Sequence, residues 1–217
     1  MAKHTPLRAL LLVSGESWIF GKKLEHESEF QESKQKLRAW VNMGADSLVA
    51  FWHALKILRG QFGLSLSEPR RPSTDLSFAP TTMLHQPWTM YLAALICWAH
   101  GLWPSISSGI AAHQRSRAGS VASASGSHHS HSSHTSGHPQ VLSNVEASYN
   151  AKIYLQATDV DEPTDLAQVD PAMMGNFHGL LEMVRIHKIQ PLLGGLMNEA
   201  ERVLYRLVEG KSNLSQF

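Results

Sequence analysis

The stretch Trp88 to Trp103, WTMYLAALICWAHGLW, is apolar on every side. A helix of that kind has two homes, the lipid of a membrane or the centre of a packed protein. Tryptophans at both ends suit an aromatic belt at the membrane surface. His100 and Gly101 interrupt the run, however, and it stops at Pro104. As a helix of about 16 residues it reaches about 24 Å, short of the roughly 30 Å of a hydrocarbon core. The expected reading is a buried core helix, with a membrane anchor at 88–103 as the alternative.

The segments around it repeat at helical steps. From Glu29 to Val41, Phe30, Leu37 and Val41 share a face with Trp40 beside them, and Ser28 and Gln31 have the spacing of a capping box. From Asp46 or Ser47 to Phe62, Leu48, Phe51, Trp52, Leu55, Leu58 and Phe62 form an apolar stripe. Lys56 and Arg59 are expected on the outer side of that helix. Four prolines between Ser65 and Pro87 read as a connecting loop, with Pro87 placed to open the apolar helix. Further on, a helix is expected over Ala147 to Thr158, followed by an acidic, proline-containing loop. Phe177, Leu180, Leu181 and Val184 line another helix, with Pro191 and Gly194–Gly195 breaking the pattern. Leu196, Ala200, Val203, Leu204, Leu207 and Val208 then form a stripe closed by Gly210. No alternating strand stands out, so the fold class is all-α, about five to seven helices.

Composition shifts near Ser105. From Arg115 to Gln140 the chain is RSRAGSVASASGSHHSHSSHTSGHPQ, with almost no large apolar residue. Such a segment buries too little surface to offset its backbone entropy and is expected to be a disordered Ser/His-rich insert. The organisation expected is a helical part over 1–104, an insert over 105–144 and a helical part over 145–217 packing on the first. At the N-terminus, Lys3 and Arg8 precede a short apolar core from Ala9 to Val13. That core is shorter than the roughly 7–15 residues of a secretory signal and reads as a packing helix.

Charge is nearly balanced at +1, with pI about 8.0. This gives no support for a dedicated nucleic-acid surface, which shows as a basic patch. The lone Cys97 cannot form an internal disulfide or a cysteine-based zinc site, and its apolar setting reads as a buried, inert thiol.

The candidates for chemistry are sparse. His128, His129, His131, His134 and His138 are a dense set of imidazoles, and His134 and His138 are spaced like half a zinc finger. The cysteine half is missing, and a flexible tract has no outer contacts to orient the rings, so the linker reading stands. Asp159, Asp161 and Asp165 suggest a calcium loop, but Pro163 and Thr164 occupy positions that need a ligand and glycine. There is no G-x-S-x-G, HExxH or P-loop pattern. Ser14 reads as a turn residue, and His53, His178 and His187 as partly buried packing or capping residues. No catalytic, cofactor-binding or metal-binding residue is assigned. Ser73, after Arg70-Arg71-Pro72, and Ser120, after Arg117, are candidate phosphorylation sites in expected loops.

Three stretches together resemble the fungal-specific transcription factor regulatory domain found in fungal zinc-finger proteins. In KQKLRAWVNMGADSLVAFWHALKILRGQF, over 34–62, Trp52, His53, Ala54, Ile57 and Leu58 match the family's core pattern. PWTMYLAALICWAHG, over 87–101, resembles its apolar helix. GLLEMVRIHKIQPLLGGLMNEAERVLYRLVEG, over 179–210, is similar to its closing helix pair, with Glu199-Ala200 as the step before a leucine-rich helix. The three cover about half the chain, and none is a catalytic signature.

The resemblance implies a nuclear, non-enzymatic regulatory role exercised through other proteins, either transcription machinery or a second copy. Family members bind DNA through a separate zinc module, which this sequence lacks. DNA contact and zinc therefore attach to no residue here. The expectation is a C-terminal fragment of a longer regulator, or a truncated product. The alternatives are a helical protein-interaction module unrelated to transcription and a membrane-associated protein.

Overall fold

The apolar run forms the middle of the fold. In a computed structural model of the chain, describing residues 2–15, 18–19, 22–23, 27–42, 44–62, 85–118, 143–192 and 194–210, it lies in helix α4 (Gln86–Ala118). Every residue from Met90 to Gly101 is buried. Helices α1 (Leu7–Ser14), α2 (Glu27–Asn42), α3 (Ala45–Phe62), α6 (Pro171–Met174) and α7 (His178–Val184) all pack against it. Helix α5 (Asn144–Ala157) lies on α7, and α8 (Gly195–Val208) also packs on α7. The architecture is all-α. Among the described residues the extended structure is one antiparallel pair, Trp18–Ile19 with Lys22–Lys23.

One glycine makes the close packing at α4 possible. A Cβ at Gly101 would collide with the edge of the Phe177 ring and with the Met174 carbonyl. Only a residue without a side chain lets this turn of α4 reach the chain just before α7.

Helix α4 runs past its expected end. Pro104 removes one backbone donor without forbidding the next turn, and Ala111, Ala112, Gln114 and Arg115 favour helix. The backbone is therefore helical over 105–118, where the Ser/His-rich insert was expected to begin. The rest of that insert, 119–142, lies outside the described residues.

Helix α1 is buried from Ala9 to Ser14 on all sides. Ser14 is its last residue rather than a turn residue, and its hydroxyl donates to the Leu11 carbonyl at 2.9 Å. Gly15 follows at φ 104°, the left-handed cap that ends a helix cheaply only with glycine. The Gly15 carbonyl accepts a 2.7 Å hydrogen bond from Arg206 Nη2 of α8, so the first helix is tied to the last.

The capping box expected at Ser28 does not form. Helix α2 starts at Glu27, and Gln31 Nε2 donates to the Glu27 carboxylate one turn back. Acidic Glu27 and Glu29 in the first turn complement the helix dipole directly. The motif occurs instead at Ser143 and Glu146 at the start of α5, with both reciprocal bonds made. The expected acidic loop is also more regular than a loop: a 3-10 helix, Pro163–Gln168, then α6 capped by Asp170 Oδ1 on the Ala172 amide.

A single hydrophobic cluster runs through both helical parts. It includes Leu10, Leu37, Phe51, Leu58, Leu95, Trp98, Tyr154, Leu181, Val184 and Leu204. Among the described residues no helix is long and apolar enough to cross a membrane.

Candidate functional site

The most unusual chemistry lies where α3 meets the end of α5. Trp52, Lys56 and Arg59 are spaced four and three residues apart, which puts them on one stripe of α3. Arg59 was expected to face solvent. It is 4% exposed, because the segment 155–160 covers that stripe.

Each of its donors meets a group at the α5 C-terminus. Arg59 Nε donates to the Leu155 carbonyl at 3.0 Å, and Nη2 to Thr158 Oγ1 at 3.3 Å. Nη1 stands 2.9 Å from Asp159 Oδ1 as an ion pair, off the line of a hydrogen bond. Trp52 Nε1 donates to the Val160 carbonyl at 3.1 Å. Lys56 Nζ lies over the Trp52 ring and 3.9 Å from Asp159 Oδ1. The last carbonyls of a helix have no partner within it and carry its negative dipole end. A cation supplied by a helix some hundred residues earlier fills both needs. Burial pulls the Arg59 guanidinium down from its ordinary pKa, and Asp159 opposes that.

Below the arginine the interior stays polar. The Tyr154 hydroxyl meets the Cys97 thiol, a weak partner, and has no other among the described residues. Burial pushes the Cys97 thiol up to about 12, so it stays protonated and unreactive at neutral pH. His100 stacks on Phe51 at 4.4 Å between centroids and meets Trp40 edge-on. Burial lowers its pKa to about 4, partly offset by a hydrogen bond with the Ser47 backbone, and Nε2 has no partner among the described residues.

A second charged cluster joins α7 to α8. Glu182, 1% exposed, accepts two 2.8 Å bonds from Arg185 Nε and Nη2. Arg185 Nη1 donates to Glu201 Oε1 at 2.6 Å, and its guanidinium lies over the Tyr205 ring. These bonds, Glu182 first, push the arginine pKa further up. Glu182 and Arg185 sit where α7 passes into a π-helical turn, Arg185–Ile189.

The sequence candidates fall apart spatially. Ser73, Ser120 and the histidine tract from His128 to His138 lie outside the described residues. Of the three aspartates only Asp159 joins the arginine. Asp161 is exposed, and no group of three metal-ligating side chains occurs among the described residues. His53 is exposed, not partly buried, with its ring edge-on to Trp52. His178 stacks on Phe177, and burial lowers its pKa. His187 is exposed, with Nε2 3.2 Å from Asn144 Oδ1. Sequence reading missed Arg59, Glu182 and Arg185. The Trp52–Lys56–Arg59 spacing was the visible signal for the first, and the Glu182–Arg185 spacing of three for the others. No family model, no curated protein and no solved structure matches this chain.

Proposed function

We propose that this chain is a transcription-regulatory helical module, acting in the nucleus through contacts with other proteins, like the fungal regulatory domains it resembles. What supports the reading is where the three resembling stretches go. Ala54 and Leu58 from 34–62, Leu95 and Trp98 from 87–101, and Ala200 and Leu204 from 179–210 all belong to one hydrophobic cluster. Apart from the exposed His53, the likeness thus lies largely in residues that set helix packing. On this reading the core is a rigid frame, and partners meet its outer faces. Helix α5 offers one such face. Val145 and Tyr149 point outward one turn apart, 80% and 65% exposed, while Ala147, Ala151 and Tyr154 point inward. Apolar anchors one turn apart suit docking of a helix against a partner. DNA recognition and its zinc would come from a separate module.

The test is a tethering assay. The chain is fused to an unrelated DNA-binding domain and placed at a reporter promoter in fungal nuclei. The expected result is a change in transcription of several-fold, lost in a Val145→Glu, Tyr149→Glu variant with unchanged melting temperature. A folded, nuclear fusion with no effect on the reporter would overturn the proposal.

A further inference from the structure

Helix α7 widens into the π-helical turn at Arg185–Ile189, where the Gln190 amide donates to the Arg185 carbonyl at 2.8 Å. Turns of this kind are rare and are frequently found at functional sites. Here the turn is held from both sides. Arg185 is locked on Glu182 and Glu201, and Ile189 is fully buried. Between those anchors it brings His187 and Lys188 to the edge of a cleft of about 350 Å³, which the end of α3 and the start of α4 close.

The cleft has two unlike walls. One is polar and cationic. Lys188 Nζ sits 3.5 Å from the Gln61 carbonyl and 5.6 Å from the centroid of the Phe62 ring. None of the ion pairs among the described residues includes Lys188. The side-chain amides of Gln61 and Gln86, hydrogen-bonded to each other, continue this wall. The other wall is apolar, made by Leu192, Pro87 and Pro191; Met90, fully buried, adds no exposed surface to it.

We infer that this cleft binds a small organic acid, a carboxylate carried on an apolar body. The cavity is at the lower end of the roughly 300–1,000 Å³ of small-molecule sites. A lysine held on a carbonyl and a ring, with no carboxylate partner among the described residues, is a point charge available to an anion. A neutral ligand leaves that charge uncompensated. Inorganic phosphate satisfies it but leaves Leu192 and the two prolines against water. An acid with an apolar body meets both walls at once, and the glutamine amides can donate to its second oxygen. The inference goes beyond the proposed regulatory role and stands whether or not the chain acts on transcription.

The full chain is titrated with benzoate, hexanoate, benzyl alcohol and inorganic phosphate, followed by calorimetry and by thermal unfolding. At least one of the two acids is expected to bind saturably below about 10 mM. Benzyl alcohol and phosphate are expected to bind at least about tenfold more weakly, and Lys188→Gln to weaken the acid by about tenfold or more. Lys152→Gln, on the exposed side of α5, serves as the charge control and leaves binding unchanged. Absence of saturable binding by both acids overturns the inference, as does equal binding by Lys188→Gln with an unchanged melting temperature. Phosphate binding as tightly as the acids overturns the assigned ligand class.

Discussion

Replacing Asp159 with asparagine isolates the joint between α3 and α5. The change keeps the size of the side chain and removes only the charge facing Arg59 Nη1 at 2.9 Å. The guanidinium stays charged and 4% exposed. At that distance an effective dielectric of 20 gives an attraction of about 6 kcal/mol. Asp159 is 27% exposed, so water screens part of it. A net loss of about 2–3 kcal/mol is expected, somewhat less than for breaking a fully buried pair. Arg59→Met removes the charge and keeps most of the apolar stem. It leaves the Leu155 carbonyl without its arginine donor, a cost of about 1–3 kcal/mol. In the double variant the aspartate faces, among the described residues, only the exposed Lys56, so adding Asp159→Asn to Arg59→Met costs about 0–1 kcal/mol. The coupling is therefore about 2 kcal/mol. Urea unfolding followed by tryptophan fluorescence measures all four corners of the cycle. Repeating it in 1 M NaCl separates a buried pair from an exposed one, since salt screens only the exposed pair strongly. Additive losses, or a single loss for Asp159→Asn below about 0.5 kcal/mol, would refute the buried-joint reasoning.

Other consequences follow from the same interior. His100 is neutral in the fold down to about pH 4, whereas the unfolded chain takes up that proton near its ordinary 6.5. The unfolded state binds more protons in that window, so stability falls as pH drops from 6.5 to 4, by about 3 kcal/mol. His100→Gln should flatten this part of a stability-versus-pH curve; an unchanged slope would clear His100. Gly101→Ala should cost at least about 2 kcal/mol, because the new methyl meets Phe177 and a backbone carbonyl; a melting temperature equal to the parent's would contradict the close approach. The Cys97 thiol, fully buried and protonated, should react with a thiol reagent only at the rate of global unfolding; fast labelling in native buffer would show it accessible. Leu204→Ala should lose about 2–5 kcal/mol in the same urea assay.

Apolar periodicity carried most of the fold, because it is set by what water excludes locally. The stripes on α2, α3 and α8 appear where their spacing placed them, except at Leu196, which is 61% exposed in the first turn of α8, and the all-apolar run became the buried α4. Helix ends were harder to read. Ser28 has a capping-box spacing, yet its helix begins one residue earlier, and the motif that forms belongs to Ser143. Pro104 looked terminal, although one lost donor does not end a helix. Which polar residues turn inward was illegible for a different reason. Lys56 and Arg59 look alike on a helical wheel. Only the later segment, 155–160, decides that the arginine is covered. That is a long-range fact, and a local pattern cannot carry it. The cleft at Lys188 is hidden for the same reason, since its walls come from two helices, a π-helical turn with no local signature and the residues just after it.

Native-state hydrogen exchange in increasing urea tests most directly whether the two helical parts form one unit. A single shared core predicts that amides of α4 between Met90 and Ala99 and those of α8 between Ala200 and Leu207 reach the same global unfolding free energy. Both should also share one urea dependence. If α5–α8 open at a lower free energy and with a smaller urea dependence than α4, the C-terminal helices are a separable unit and the single-core arrangement is contradicted.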